Sequence, residues 1–275
     1  YNRKSNRRRL IFSRKESIQM GRIITITNQK GGVGKTTTAI NLAACLAEAG
    51  QKVMLVDFDP QGNASSGLGL EREDFDKTVY DMLIEEEPVE ECIINEIQPN
   101  LDILPSDMNL AGAEIEFQEV EDKEKLLSNC LNQVRDTYDF ILIDCPPSLN
   151  ILTINALTAA DTVLVPIQCE YYALEGLNQV LKTVDLVKRK LNPGLELEGV
   201  VFTMYDARTN LSLEVVESVK SSLNRTIYKT IIPRNVRLAE APSHGMSINF
   251  YDSRSTGAES YRMLAAEVMS RGEEL

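Results

Sequence analysis

The sequence has few of the histidine and cysteine side chains from which many catalytic and metal sites are built. Its 275 residues include no tryptophan and one histidine, His244, so no second histidine can complete a metal site there. Five cysteines are scattered without C-x-x-C spacing, at positions 45, 92, 130, 145 and 169. Such cysteines are typical of reduced thiols in a cytoplasmic protein. We therefore expect a structural role for His244 and an inert thiol at Cys145, since no Cys–His–acid set supports a nucleophile.

Long apolar runs are also absent. No run approaches the roughly 20 residues that a transmembrane helix needs. With 43% hydrophobic and 25% charged residues, the composition is ordinary for a globular protein. The length allows one large domain or two small ones with a sizeable core. Because there is no repeat, low-complexity tract or long linker, we expect a single domain.

Charge is distributed unevenly along the chain. The whole chain carries a formal net charge of −12, but the first 19 residues contribute +6, which leaves −18 for the remainder. Met20 and Gly21 directly precede the first apolar segment and read as a natural start. We interpret 1–19 as a basic leader, a cloning scar or upstream read-through that is disordered, and 20–275 as the domain. A nucleic-acid arm or a transit peptide is the alternative for this leader.

Apolar, β-branched segments alternate with helical ones. Strands are predicted over 22–27, 52–58, 101–104, 139–144, 161–167, 198–204 and 226–232, and helices over 175–189 and 211–223, among others. This alternation predicts an α/β fold with a mostly parallel, twisted sheet flanked by helices on both faces. Right-handed crossovers then place the carboxyl ends of the strands, and the site, at one edge. The segment 67–124 is the least regular part.

The clearest motif is a glycine-rich loop after the first predicted strand. An ordinary P-loop reads G-x-x-x-x-G-K-[ST], with backbone N–H groups around the phosphates, a lysine on the β/γ oxygens and a hydroxyl on Mg²⁺. Gly34, Lys35 and Thr36 match its second half, whereas Gln29 replaces the first glycine and an extra lysine follows it. The pattern predicts a site for a nucleoside triphosphate with Mg²⁺, formed by Lys30, Gly31, Gly32, Val33, Gly34, Lys35, Thr36 and Thr37.

This loop resembles the deviant Walker A motif of the ParA/MinD superfamily of ATPases. The resemblance implies ATP as the nucleotide, hydrolysis to ADP and phosphate, and a Lys30 that reaches the partner subunit's nucleotide in a dimer. Lys30 and Lys35 are thereby implied to be catalytic. Two lysines on one loop repel each other unless a polyanion lies between them or one faces elsewhere. The alternative is that Lys30 is a solvated surface charge.

A second cluster lies at the end of the predicted strand 52–58. Asp57 and Asp59 are two residues apart, so both side chains should point to the same face of the strand. Carboxylates at strand ends in phosphoryl-transfer sites hold Mg²⁺ or orient the attacking water. The segment is similar to the D-x-D-P-Q-G-N switch of ParA-type proteins, which implies that Asp59 positions the water and contributes to the Mg²⁺ site. The alternative is that both carboxylates cap a turn.

A third cluster lies at the end of the predicted strand 139–144. Apolar residues followed by Asp144 match the Walker B pattern, in which the acid reaches Mg²⁺. The Asp-Cys-Pro-Pro sequence resembles the D-x-P-P switch of the same superfamily. We predict that Asp144 contributes to the Mg²⁺ site together with Thr36 and Asp59, directly or through water.

Two further groups are assigned through the resemblance. It implies that Pro233 and Asn235 border the adenine; the alternative is an ordinary strand-to-helix turn. A chain of net charge −12 cannot wrap DNA by its global charge, so any DNA contact needs a local basic face. The candidates are Arg208, Arg225, Arg234 and Arg237. The stretches 203–210 and 233–245 resemble the chromosomal ParA (Soj) branch, which implies that Arg208 and Arg237 contact DNA non-specifically; a surface ion pair is the alternative for each.

The resemblance covers roughly residues 20–270 and implies a cytoplasmic, nucleoid-associated DNA-partitioning ATPase. Its ATP-bound sandwich homodimer would bind double-stranded DNA, and a ParB-type centromere-binding partner would stimulate slow hydrolysis and release it. Two alternatives remain: a MinD-like positioning ATPase and a metabolic enzyme on the same scaffold. Acids at 273–274, in a tail without lysine, argue against membrane docking of the MinD type.

Overall fold

The computed structural model describes residues 20–117, 120–223 and 227–272. The predicted leader at 1–19, the candidate Arg225 and the tail acids at 273–274 lie outside these residues. Among the described helices, none is both long and apolar enough to cross a bilayer.

The described residues form one eight-stranded sheet flanked by helices. The strands are β1 (Arg22–Ile26), β2 (Val53–Asp57), β3 (Ile94–Gln98), β4 (Leu101–Leu104), β5 (Phe140–Asp144), β6 (Thr162–Gln168), β7 (Glu196–Tyr205) and β8 (Ile227–Pro233). Their order across the sheet is β3-β4-β2-β5-β1-β6-β7-β8. Every neighbouring pair is parallel except β3 with β4. The predicted single α/β domain with a mostly parallel sheet is confirmed.

Helices connect the strands and cover both faces. They are α1 (Lys35–Glu48), α2 (Asn63–Gly67), α3 (Val79–Ile84), α4 (Val89–Cys92), α5 (Leu110–Glu116), α6 (Leu126–Val134), α7 (Ile151–Ala159), α8 (Ala173–Lys190), α9 (Asn210–Ser222), α10 (Val236–Glu240), α11 (Ile248–Tyr251) and α12 (Thr256–Gly272). The predicted helices at 175–189 and 211–223 correspond to α8 and α9, with ends shifted by one or two residues.

Successive strand residues enter two separate cores, because side chains alternate between the faces of a sheet. On β1, Ile23 packs into a core that also contains residues of α6 to α9, including Leu152 and Leu177. Its neighbour Ile24 packs into the opposite core with residues of α1 and α12, including Leu42 and Leu264. The two-sided burial explains why the central strands read as continuous apolar runs rather than as alternating ones.

The segment 67–124 is more ordered than its sequence suggests. It contains α3, α4, α5 and the unpredicted strand β3, which pairs antiparallel with β4 at the edge of the sheet. Two residues near this hairpin, Glu96 and Asn100, have positive φ of 54° and 63°. The β3–β4 register also shifts between Ile94 and Gln98. A partly exposed, irregular edge strand lacks the apolar periodicity that identifies a strand in sequence.

A polar cluster joins the amino ends of strands β1, β7 and β8 to the carboxyl end of α12. Arg22, at the start of β1, forms an ion pair with Glu198 of β7 and donates to the Val268 carbonyl of α12 at 3.0 Å. Glu198 also accepts a hydrogen bond from the Tyr228 hydroxyl at 2.7 Å. Arg271 lies over the Tyr228 ring, 4.0 Å from its centre, and donates to the Glu198 carbonyl at 2.6 Å. This cluster, the amino-edge clamp, fixes α12 to β7 and β8.

A close approach of two glycines joins the turn after α2 to the turn before α11. Gly245 has φ of 63°, and a Cβ placed on it would lie 2.5 Å from the Gly69 Cα. We expect Gly245→Ala to lower the free energy of unfolding by about 2–5 kcal/mol, combining left-handed backbone strain with overpacking. Gly50→Ala is the control, because Gly50 has φ of 89° but open space around it. Urea unfolding that gave equal losses for both variants would contradict the overpacking argument.

Candidate nucleotide-binding site

The predicted functional loops meet at one edge of the sheet. They follow β1, β2, β5, β6, β7 and β8, which run parallel, so their carboxyl ends all lie at the same edge. Strand β1 lies between β5 and β6, where the strand order reverses, and open α/β sheets bind their ligands at such a point. The glycine-rich loop that follows β1 therefore occupies the position expected of a ligand site.

The loop has the backbone of a phosphate cradle. Gly32 and Gly34 have φ of 74° and 88°, a left-handed conformation that glycine adopts without steric cost. Helix α1 begins at the next residue, Lys35, so its free N–H groups and its positive dipole end face the loop. A Cβ at Gly31 or Gly32 would meet no heavy atom within 4 Å, so the loop borders open space. An anion can occupy that space.

Lys35 is buried at the centre of this loop. Its exposed fraction is 7%, and its ammonium donates to the Lys30 carbonyl at 3.3 Å. Burial lowers the pKa of Lys35, and the carboxylates of Asp144 and Asp59 act in the opposite direction. Both carboxylates predicted for the Mg²⁺ site therefore lie near the P-loop lysine.

Asp144 presents a buried carboxylate that is short of partners. Neither oxygen accepts a hydrogen bond of normal geometry. Burial raises the pKa of Asp144 well above its usual range; Asp57 adds to this shift, whereas the Thr36 hydroxyl and Lys35 oppose it. A buried polar group without a partner costs free energy, and an oxygen-seeking cation beside Thr36 would relieve that cost. The pair Thr36 and Asp144 therefore fits Mg²⁺.

The cation would need further ligands from the nucleotide. Among the described residues, no group of three or more His, Cys, Asp or Glu side chains could hold a metal by itself. Mg²⁺ in phosphoryl-transfer sites is commonly held by one or two carboxylates together with phosphate oxygens and water. The donor set here matches that arrangement rather than a protein-only metal cage.

The structure separates the roles of the two aspartates that follow β2. Asp57 accepts hydrogen bonds from the backbone N–H and the hydroxyl of Ser65, both at 2.8 Å. Burial raises the pKa of Asp57 to about 6. Asp59 instead accepts the Gln61 N–H at 3.0 Å, at the start of the turn. Asp57 thus anchors the end of β2 to α2. The carboxylate of Asp59 lies near Lys35 instead.

A cavity of about 170 Å³ adjoins the glycine loop and has the position of a base pocket. Pro233 and Asn235, predicted to border the adenine, both line it. Gly34 and Thr37 of the predicted loop line it as well. Sequence reasoning did not assign the other lining residues to the nucleotide: Thr203, Met204, Ile232, Arg234, Leu238, Ala239 and Tyr261. Thr203 donates to the Val33 carbonyl at 2.7 Å, which ties the end of β7 to the loop. No spacing rule in the sequence indicates this contact.

The amide of Asn235 is already engaged by the protein. Its oxygen accepts the Arg237 N–H at 2.8 Å, which caps α10, and its nitrogen donates to the Thr256 hydroxyl at 2.7 Å. The resemblance implied that Asn235 borders the base. The structure adds that Asn235 joins the start of α10 to the start of α12. An N-cap hydrogen bond of this kind contributes about 1 kcal/mol.

Lys30 is neither buried nor free in this single chain. Its ammonium forms an ion pair with Glu170, in the loop that follows β6, and the two side chains are 37% and 44% exposed. Its backbone N–H donates to Asn28 Oδ1 at 3.0 Å, and Asn28 Nδ2 donates to the Pro166 carbonyl at 2.8 Å. The side chain is thus held at the mouth of the loop, not at the protomer's own phosphate cradle.

Both predicted DNA-contacting arginines lie on exposed segments at the same edge. Arg208, 86% exposed, pairs with Asp206 at 2.7 Å in the turn after β7. Arg237, 55% exposed, pairs with Glu240 at 2.9 Å and lies 3.5 Å from Asp252. Strands β7 and β8 are neighbours in the sheet, so the two arginines follow adjacent strand ends. Each arginine thus forms the surface ion pair that was the alternative to a DNA contact. Both side chains are nevertheless exposed enough for DNA to reach them.

Cys145 and His244 have the structural environments expected from the sequence. Cys145 is completely buried, and burial raises the pKa of its thiol well above the usual range, which disfavours the nucleophilic thiolate. His244 stacks on the Tyr251 ring, with 4.9 Å between ring centres.

Comparison with known proteins identifies relatives along nearly the whole described chain. The profile of a family described as an AAA domain matches residues 21–197. The sporulation initiation inhibitor protein Soj of Bacillus subtilis is 58% identical over 92% of this chain and 100% of its own length. The chromosome-partitioning ATPase Soj of Treponema pallidum is 52% identical over 92% of this chain and 98% of its own.

A solved structure with nucleotide bound has the same fold. Cobyrinic acid a,c-diamide synthase of Mycobacterium smegmatis, crystallised with ADP and magnesium, is 34% identical and superposes with a TM-score of 0.82. The alignment covers 92% of this chain and 96% of that one. A nucleotide and magnesium thus occupy a protein of this architecture.

Proposed function

The chain belongs to the Soj/ParA branch of the ParA/MinD superfamily of ATPases, and from that membership we propose how its site acts in chromosome partitioning. The protein is an ATPase whose cofactors are ATP and Mg²⁺. The observation that carries the proposal is the convergence of Lys35, Asp59 and Asp144 at the loop after β1.

Within one protomer, the site binds the triphosphate and positions water. The phosphates lie against the N–H groups of the loop and of α1, and Lys35 neutralises part of their charge. Thr36 and Asp144 would hold Mg²⁺, which would offset further phosphate charge when bound. Asp59, fixed by the Gln61 N–H, orients the attacking water. Pro233 and Asn235 border the base.

ATP binding is coupled to dimerisation through Lys30. The Lys30 side chain of each protomer extends across the dimer interface and contacts the phosphates bound by the partner. The two triphosphates therefore lie between the two chains. ATP then strengthens the dimer because it supplies the anion for both lysines. This arrangement explains why a lysine lies at the mouth of the loop instead of inside it.

The dimer binds double-stranded DNA without sequence preference through Arg208 and Arg237 of both protomers, and so associates with the nucleoid. Doubling a weak basic patch raises the affinity through avidity, which makes DNA binding depend on ATP. A ParB-type partner accelerates hydrolysis and releases the protein from DNA.

We expect Arg237→Glu to weaken DNA binding by the ATP-bound dimer about tenfold or more while leaving dimerisation unchanged, because two phosphate contacts become repulsive. Arg189→Glu is the matched control: Arg189 is an exposed cation near the end of α8, at the opposite edge of the sheet. Fluorescence anisotropy with an arbitrary duplex, together with light scattering, would measure both properties. Equal loss in both variants would indicate a general charge effect.

The proposal as a whole is tested by a gel shift on arbitrary duplex DNA with ATP, with ADP and without nucleotide. We expect the DNA to shift in the presence of ATP but not with ADP or without nucleotide. Equal shifts under all three conditions would contradict ATP-gated DNA binding.

A metabolic role is the second candidate, because a diamide synthase shares the fold at 34% identity. The higher identity to partitioning proteins favours partitioning. Turnover of ATP that required a small carboxylic acid and ignored DNA would favour the metabolic role instead.

A further inference from the structure

The ion pair between Lys30 and Glu170 connects the loop after β1 to the loop after β6. Both partners have backbones that are fixed independently of the pair. On the Lys30 side, the contacts Lys30–Asn28 and Asn28–Pro166 hold the loop to β6. On the other side, the Glu170 carbonyl accepts the Ala173 N–H at 3.0 Å, at the start of α8. Only the two side chains need to move for the pair to separate.

We propose that Glu170 is a positioning residue that holds Lys30 within its own protomer until ATP brings two protomers together. The inference rests on the proposed function, in which Lys30 contacts the partner's nucleotide. In the single chain, the Lys30 ammonium is bound to a carboxylate. While this pair persists, the ammonium is directed towards the carboxylate rather than towards a triphosphate on another chain. Dimerisation therefore exchanges two intrachain ion pairs for two lysine–phosphate contacts.

The direction of the effect follows from charge. Glu170 competes with the triphosphate for the same cation, and its negative charge also repels the incoming phosphates. Removing that charge should favour the dimer. Because both side chains are more than a third exposed, the pair is of the weak surface type. Each such pair changes an equilibrium by a factor of about 1.4 to 5, so two pairs per dimer change it by about 2- to 25-fold.

The matched control is another lysine–glutamate pair of similar exposure. Lys188 and Glu196 form an ion pair at the opposite edge of the sheet, with side chains 36% and 61% exposed. Glu196→Gln changes the net charge by the same amount as Glu170→Gln but leaves Lys30 untouched. It therefore separates release of Lys30 from a general reduction of the repulsion between two acidic chains.

The experiment measures the monomer–dimer dissociation constant by sedimentation equilibrium with a non-hydrolysable ATP analogue and Mg²⁺. We expect Glu170→Gln to lower this constant by about 2- to 25-fold at roughly 0.1 M salt, and Glu196→Gln to leave it at the parental value. The difference should shrink at about 0.5 M salt, where exposed charges are screened. Affinity of the analogue for the monomer, measured below the dimerisation range, should not change.

If the parental protein dimerises but Glu170→Gln has an equal or higher dissociation constant, the holding role of Glu170 is overturned and the proposed dimer is not. An equal decrease for Glu196→Gln would overturn it as well. A parent that remained monomeric with the analogue would overturn the proposed dimer, and the holding role with it. Glu170→Asp, which keeps the charge on a shorter side chain, should give an intermediate constant.

Discussion

Replacing Lys35 with alanine is expected to weaken ATP binding about 100-fold or more and to abolish measurable hydrolysis. The substitution removes a buried ammonium that lies near Asp144 and Asp59, so the negative phosphates would lie beside these carboxylates without the cation that offsets their charge. Hydrogen bonds to charged groups contribute about 1.5–3 kcal/mol each, and this ammonium can make two of them to phosphate oxygens.

The measurement is titration calorimetry with ATP and Mg²⁺, alongside a circular dichroism spectrum that checks the fold. Lys182→Ala is the control, because Lys182 is an exposed lysine of α8 away from the glycine loop. If Lys35→Ala bound ATP within about threefold of the parental affinity, this lysine would not bind the phosphates. A threefold change corresponds to less than about 1 kcal/mol, because about 1.4 kcal/mol corresponds to a tenfold change.

Asp59→Ala is expected to slow hydrolysis about 100-fold or more while keeping ATP affinity near the parental value, so that the ATP-loaded dimer accumulates. A residue that orients or deprotonates the attacking nucleophile contributes by about that factor. The ground-state complex does not depend on the orientation of the water, so binding should be spared.

The control for this prediction distinguishes chemistry from local structure. Asp59→Asn retains an oxygen that can accept the Gln61 N–H, so the turn should persist while the negative charge is lost. Single-turnover phosphate release would compare the two variants. A parental rate in Asp59→Ala would exclude the assigned role, and a slow Asp59→Ala with a parental Asp59→Asn would reduce it to support of the turn.

The sequence was most informative where local chemistry decides the structure. Buried central strands must be apolar on both faces, so their runs could be recognised without knowledge of their partners. The glycine loop could be recognised because the backbone of Gly32 and Gly34 demands residues without a Cβ. Strand β3 was missed because an edge strand faces solvent and needs no apolar periodicity.

Interactions between distant parts of the chain could not be predicted. Lys30 and Glu170 are 140 positions apart, and both residue types are common on any surface. The resemblance assigned Lys30 to another molecule, but nothing in the pattern indicated which group holds it in the absence of that molecule. Asn235 illustrates the same limit at short range, because its two hydrogen bonds are set by where α10 and α12 begin.

The amino-edge clamp has a consequence for how the molecule can respond to a ligand. Arg22, Glu198, Tyr228 and Arg271 join three strands and the last helix on the side away from the nucleotide. With that end secured, we expect the sheet to act as a rigid base, with displacements during turnover confined to the loops opposite. Amide protons at the amino ends of β1, β7 and β8 should then exchange slowly in every nucleotide state, whereas those at residues 59–62 should vary with the state.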